Sequence, residues 1–103
     1  METIELLADD DYFVQVLLEG KLYFLYMSWN SEARYWTMAI RDYNKNILAS
    51  GLKVVPNFPL IGRYYIEGMP PGEFVAISKS TEIAQSDFVD GYAEMVYVTE
   101  AEL

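Results

Sequence analysis

Apolar and polar residues follow a period of two along most of this chain, the spacing that puts successive side chains on opposite faces of a strand. The clearest case is residues 12–29. Tyr12 to Leu18 and Leu22 to Trp29 are rich in aromatic and β-branched residues and flank Glu19-Gly20-Lys21. This predicts a β-hairpin, with Gly20 free to take the positive φ that tight hairpin turns require. Both faces of the second run are apolar, with Leu22, Phe24 and Tyr26 on one and Tyr23, Leu25, Met27 and Trp29 on the other. Such a strand is expected to be covered on both sides.

After a polar turn, Arg34 to Arg41 alternates again, with Trp36, Met38 and Ile40 on one face, which predicts a third long strand antiparallel to the second. The two Asn of Asp42–Asn46 tolerate left-handed backbone, and Ile47 to Val55 resumes a strand pattern. Gly51 within it predicts a bulge or bend. Pro56 to Gly62 breaks the ladder and reads as a surface turn over the core edge. Arg63 to Ile66 reads as a short strand. In Met69-Pro70-Pro71-Gly72 a turn is expected, with Pro71 presetting φ and Gly72 taking the positive value. Glu73 to Ser80 is a further strand, Thr81 to Gly91 a loop and Ala93 to Thr99 a closing strand, after which the last residues fray or make one short turn. About seven short strands without a convincing helix predict an all-β fold, a small antiparallel sandwich or partly closed barrel. At 103 residues the chain makes one β domain, with no room for a second core.

Composition sharpens this picture. Apolar residues make up 52% of the chain, enough for a core, but nine Tyr, five Phe and two Trp are too many aromatics for all to be interior. Trp29, Trp36, Tyr23 and Phe24 lie on the most central strands and are assigned to the core. Tyr43, Phe58, Tyr64, Tyr65 and Tyr92 lie in or beside predicted turns and are the candidates for a protein interface, where Tyr is enriched. The net charge of −9, with only seven dispersed basic residues, argues against a specific grip on nucleic acid. No run approaches a membrane span and the N-terminus is acidic, so a soluble protein made in a cytoplasm is expected.

Catalytic chemistry has little to work with. The chain has no cysteine, which excludes disulfides and thiolate metal sites, and no histidine, the commonest general base and metal ligand. Carboxylate pairs drawn from Glu67, Glu73, Asp87, Asp90 and Glu94 are the one catalytic route left, and solvated charges are the expected reading of them. Asp9-Asp10-Asp11 lacks the alternation, turn glycine and distal glutamate of a calcium loop. Neither enzyme activity, a metal nor a cofactor is expected.

The hairpin Phe13 to Trp29, the segment Tyr35 to Asp42, the stretch Ile47 to Arg63 and the closing Val96-Tyr97-Val98-Thr99 together resemble a known family. Most distinctive are Leu48-Ala49-Ser50-Gly51-Leu52 running into Val54-Val55-Pro56-Asn57, then Leu60 and Arg63-Tyr64. The chain is similar over nearly its whole length to the small baseplate plug proteins of contractile-tailed bacteriophages, described from a cyanophage tail and common in prophages. The resemblance implies an all-β structural subunit at the centre of the virion tail baseplate, made in the bacterial host cytoplasm. It implies packing against hub and tube proteins or the tape-measure end, and carries no active-site residues. The strong negative charge suits a subunit beside a DNA-conducting channel, where an acidic wall repels phosphate. The oligomeric state is open, self-association included. The competing reading is a stand-alone β-barrel binding module for a peptide or carbohydrate, which requires a deep groove with convergent polar groups.

Overall fold

In the computed structural model, which describes residues 1–62 and 68–103, seven strands form two antiparallel sheets stacked as a sandwich. The larger sheet has the order β2-β3-β4-β5, from Asp11–Leu18, Lys21–Asn30, Tyr35–Asp42 and Ile47–Lys53. The smaller has the order β1-β7-β6, from Glu2–Ile4, Ala93–Val98 and Glu73–Ser78. The two sheets do not close into a barrel through the described ladders.

Alternation decides which side chains enter the core. Tyr12 and Leu18 of β2, Tyr23, Leu25 and Met27 of β3, and Trp36, Met38 and Ile40 of β4 point inward. Phe74 and Ala76 of β6 and Ala93, Met95 and Tyr97 of β7 meet them from the other sheet. Burying each large apolar side chain of this set contributes about 1.5–3 kcal/mol.

The β2–β3 turn is the predicted two-residue hairpin, with Leu18 opposite Lys21. Both of its central residues take positive φ, Glu19 at 48° and Gly20 at 83°. Glu19 is held in that costly conformation by a tie across the sandwich: its carboxylate accepts the Tyr97 hydroxyl proton. The same Tyr97 oxygen accepts the Gly72 N–H at 2.7 Å. One phenol thus joins the hairpin of the large sheet to the entry of β6 in the small one.

The bulge predicted at Gly51 is present, with φ of 66°. Two residues of β5, Ser50 and Gly51, stand opposite Ala39 alone, and a second register shift follows between Ile40 and Arg41. In the β4–β5 turn the left-handed residue is Lys45, not an Asn. The Asp42 carboxylate organises the turn instead, accepting the backbone N–H groups of Asn44 and Asn46 at 2.9 Å each.

Four other expectations change. Pro56 to Gly62 is less a surface turn than an irregular edge to β6. Asn57 N–H and Leu60 N–H donate to the carbonyls of Ala76 and Phe74, and Leu60 and Ile61 are buried. The buried Glu73 carboxylate fastens this edge by accepting the N–H groups of Ile61, Gly62 and Phe74 at 2.7–2.9 Å. Gly72 does not take a positive φ. It is required for space, since a Cβ there would stand 2.1 Å from the Val98 carbonyl oxygen and 2.6 Å from the Tyr97 ring. Within the loop Thr81–Gly91, Asp87–Asp90 makes one helical turn (α1), ended by Gly91 at φ 88°. Its Phe88 meets Trp36 edge-on. Finally, β1 was not legible as a strand, because only Ile4 among its three residues is apolar and buried; pairing with the free edge of β7 creates it. The strand expected at Arg63–Ile66 lies outside the described residues.

Gly72→Ala is expected to destabilise the domain by about 3 kcal/mol through forced overpacking. Gly20→Ala meets no atom within 4 Å and loses only about 1–2 kcal/mol to left-handed strain. Chemical denaturation of both variants checks the order; equal losses would show that Gly72 is not sterically constrained. Burial, then the hydrogen bond to Glu19, raises the Tyr97 phenol above its ordinary value of 10.0. Burial likewise raises Tyr12 and Tyr23. A raised acid favours the protonated fold, so this stability is complete below pH about 10 and is lost as pH rises through the folded-state values. Tyr97→Phe should therefore flatten the alkaline limb of a Tm-against-pH curve.

Candidate interaction surface

The turn-borne aromatics are placed at opposite ends of the sandwich. Tyr43, 68% exposed, sits at the tip of the β4–β5 turn, next to Asp42, whose strand partner is Tyr23 beside the β2–β3 hairpin. Phe58, 65% exposed, and Tyr92, 71% exposed, share the other end. They are brought there by Ser78: its N–H donates to the Asn57 side-chain oxygen, and its hydroxyl donates to the Tyr92 carbonyl. Asn57 returns a 2.7 Å bond from its amide to the Ser78 carbonyl. Tyr64 and Tyr65, the remaining interface candidates, lie outside the described residues.

A second aromatic surface lies on the outward face of the large sheet. The register sets Phe13 opposite Tyr26, Leu17 opposite Leu22, and Phe24 between Gln15 and Arg41. Phe13 and Tyr26 stack with centroids 4.7 Å apart, and the Tyr26 hydroxyl donates to the Asp11 carboxylate. Leu17 and Ile47 are exposed on the same face and Phe24 is half-buried. The two-sided cover expected for β3 is therefore absent among the described residues: the small sheet covers Tyr23, Leu25 and Met27 and leaves Leu22, Phe24 and Tyr26 facing out. Of the four aromatics assigned to the core, Tyr23 and Trp36 are buried, whereas Trp29 is half-buried against Trp36 and Phe24 is outside the core, on the outward face. The signal that locates this face is the alternation of β2, which leaves Phe13, Gln15 and Leu17 opposite to Tyr12, Val14 and Val16.

Cations gather on this face. The Arg41 guanidinium carbon lies 5.3 Å from the Phe13 ring centre, Lys45 Nζ 5.7 Å from that of Phe24, and Lys53 Nζ 4.7 Å from that of Tyr35. Most carboxylates collect elsewhere, along β1 and at Asp9 and Asp10, on α1, and in the terminal turn Glu100–Glu102, while Asp11 stays at the edge of this face on Tyr26. Gln85 donates to Asp10 and so ties two of these acidic segments together.

No catalytic or ligand-holding arrangement emerges among the described residues. Of the carboxylates considered for paired chemistry, Glu73 is committed to backbone N–H groups, Glu94 accepts from Thr3, and Asp87 accepts the Ala84 N–H. Glu67 lies outside the described residues, and among the described ones no group of three or more acidic residues is placed to hold a metal ion. Among the described residues the concavities are open and lie at separate places on the molecule, and none of them is the deep polar-lined groove that a stand-alone binding module requires.

No curated protein matches the sequence. A family model does, the one described as cyanophage baseplate Pam3 plug gp18, and it covers residues 1–100 of the 103. Extending from β1 into the terminal turn, that match takes in both sheets, both aromatic ends and the cationic outer face: the chain belongs to the cyanophage baseplate plug family, structural subunits of the bacteriophage tail baseplate.

Proposed function

We propose that this chain plugs the centre of a tail baseplate by packing between axial neighbours, the hub on one side and the end of the tube or tape measure on the other. The observation that carries this is the placement of exposed aromatics at opposite ends of a rigid sandwich, Phe58 and Tyr92 at one and Tyr43 at the other. Exposed Phe and Tyr bury large area at low entropic cost, which suits them to anchor such contacts. Tyr64 and Tyr65 stay interface candidates on the sequence alone.

The protein acts without catalysis: its work is steric and adhesive. It is made in the host cytoplasm and joins the virion during tail assembly. The carboxylates of β1, the Asp9–Asp11 loop and α1 suit a wall that repels the phosphates of passing DNA.

Co-expression with the hub and tube proteins encoded beside it, followed by size-exclusion chromatography, tests the reading. The expected result is a stable complex containing this chain. Phe58→Ser with Tyr92→Ser should release one neighbour while retaining the other, and Tyr43→Ser should weaken the opposite contact by about tenfold or more, the effect of losing one interface anchor. Elution of the unsubstituted chain alone, with every tail protein present, rules the reading out.

A further inference from the structure

We infer that the outward face of the β2-β3-β4-β5 sheet is a lateral docking surface for a protein partner that presents carboxylates around an apolar patch, one of them seated in the notch between Phe13, Phe24, Arg41 and Lys45. This rests on the baseplate reading and adds to it a third contact, on the flank of the sandwich.

Three observations converge on this face. First, its apolar content is contiguous: Phe13, Leu17, Leu22, Phe24, Tyr26 and Ile47 share it through the strand register, and no described element covers them. Four strands of about eight residues span on the order of 500 Å², a large part of the roughly 800 Å² that one partner gives to a standard interface. The exposed aromatic and aliphatic side chains on a face of that size form the kind of patch that marks an interaction site.

Second, the face is basic on an acidic protein. Against a net charge of −9, it carries Arg41, Lys45 and Lys53, none of which forms an ion pair among the described residues, and one carboxylate, Asp11, at the edge beside Tyr26. Aromatic rings hold these cations in place at 4.7–5.7 Å. At about 0.5–1 kcal/mol each at an exposed site, these contacts bias the cations toward the face before a partner arrives. Arg41 Nε is also buried without a hydrogen-bond acceptor among the described residues. An unpaired buried guanidinium nitrogen is rare and costly, and an added anion beside that group offsets its charge.

Third, the notch has the size and chemistry for one carboxylate side chain. It encloses about 300 Å³ and is lined by Phe13, Phe24, Arg41 and Lys45. The rings give it apolar walls, and the two cations offer charge-assisted bonds. Charge complementarity selects the occupant. An isologous second copy would set cations against cations, and a nucleic acid would meet the surrounding field of the acidic chain.

The test uses the assembled complex with the hub and tube proteins. Zero-length carbodiimide coupling is expected to join Lys45 to an Asp or Glu of a tail protein, identified by mass spectrometry of the cross-linked peptides. Lys45→Gln should abolish that link, and Phe24→Ser should reduce it severalfold. The double variant Arg41→Glu/Lys45→Glu should weaken the complex about a hundredfold and remove most of its salt dependence, while its thermal melt shows that it folds. Lys45→Gln, an exposed turn substitution, keeps the measurement available if the double variant does not fold. Links from Lys45 solely to a second copy of this chain would overturn the inference, as would tight binding of a 20-mer oligothymidylate lost in the double variant. A complex unaffected by charge reversal overturns it while leaving the baseplate reading intact. Absence of any complex with the unsubstituted chain sinks both.

Discussion

Three strands cannot cover both sides of four. The small sheet β1-β7-β6 shields one face of the large sheet, and among the described residues no element forms a second layer over the other. Much of the molecule follows from this. Tyr23, Leu25, Met27, Trp36, Met38 and Ile40 are driven inward by the period of two. The same period forces Phe13, Phe24 and Tyr26 outward, because a strand apolar on both faces must expose one of them when only one cover exists. For an isolated domain that exposure would be a liability. For a subunit that functions only inside an assembly, it is surface reserved for a neighbour.

The joint between the sheets has to be rigid for such a subunit to hold its neighbours in fixed positions. Apolar packing alone fixes separation better than register, since it is non-directional. Directional bonds supply the rest. Tyr97 links Glu19 to Gly72, and Glu73 gathers three backbone N–H groups at the end of the Pro56–Gly62 edge. Both clusters lie toward the hairpin end, while the Asn57–Ser78–Tyr92 set locks the other. Exposed aromatics at the two ends therefore rest on hydrogen-bonded platforms, so their positions are inherited from the sheets.

Strand identity was legible wherever alternation ran for six residues or more, as in β2, β3, β4 and β7. The hairpin turn and the Gly51 bulge were legible because glycine chemistry is local. What escaped was set by distant partners. The three-residue β1 has no pattern of its own and exists through the edge of β7. Gly72 was read for its φ, whereas the reason for glycine there is the Val98 carbonyl and the Tyr97 ring, both about 25 residues away in sequence. The outer face escaped for a related reason. The two apolar faces of β3 were visible in sequence, but the number of layers available to cover them is a property of the whole topology. Tyr43, Phe58 and Tyr92 were found as exposed residues because turns are exposed in nearly any arrangement of sheets; that they occupy opposite ends required the fold.

Charge segregation follows the same logic one level higher. With few bases, a chain can concentrate positive charge only if its strand register brings them together. Pairing of β3 with β4 sets Arg41 against Phe24, and the Asp42-organised turn returns Lys45 over that ring. Most acids fall on loops, on α1 and on the opposite sheet; Asp11, at the start of β2, is the one that meets the outer face, through the Tyr26 hydroxyl. A net charge alone would describe this protein as uniformly repelling anions. Its local field is instead two-sided, because a ring face attracts a cation at short range while the dispersed carboxylates act through screened solvent beyond a Debye length of about 8–10 Å. An approaching anionic protein surface is therefore turned away from most orientations and accepted in one, and orientation is what a subunit placed once at the centre of an assembly has to secure.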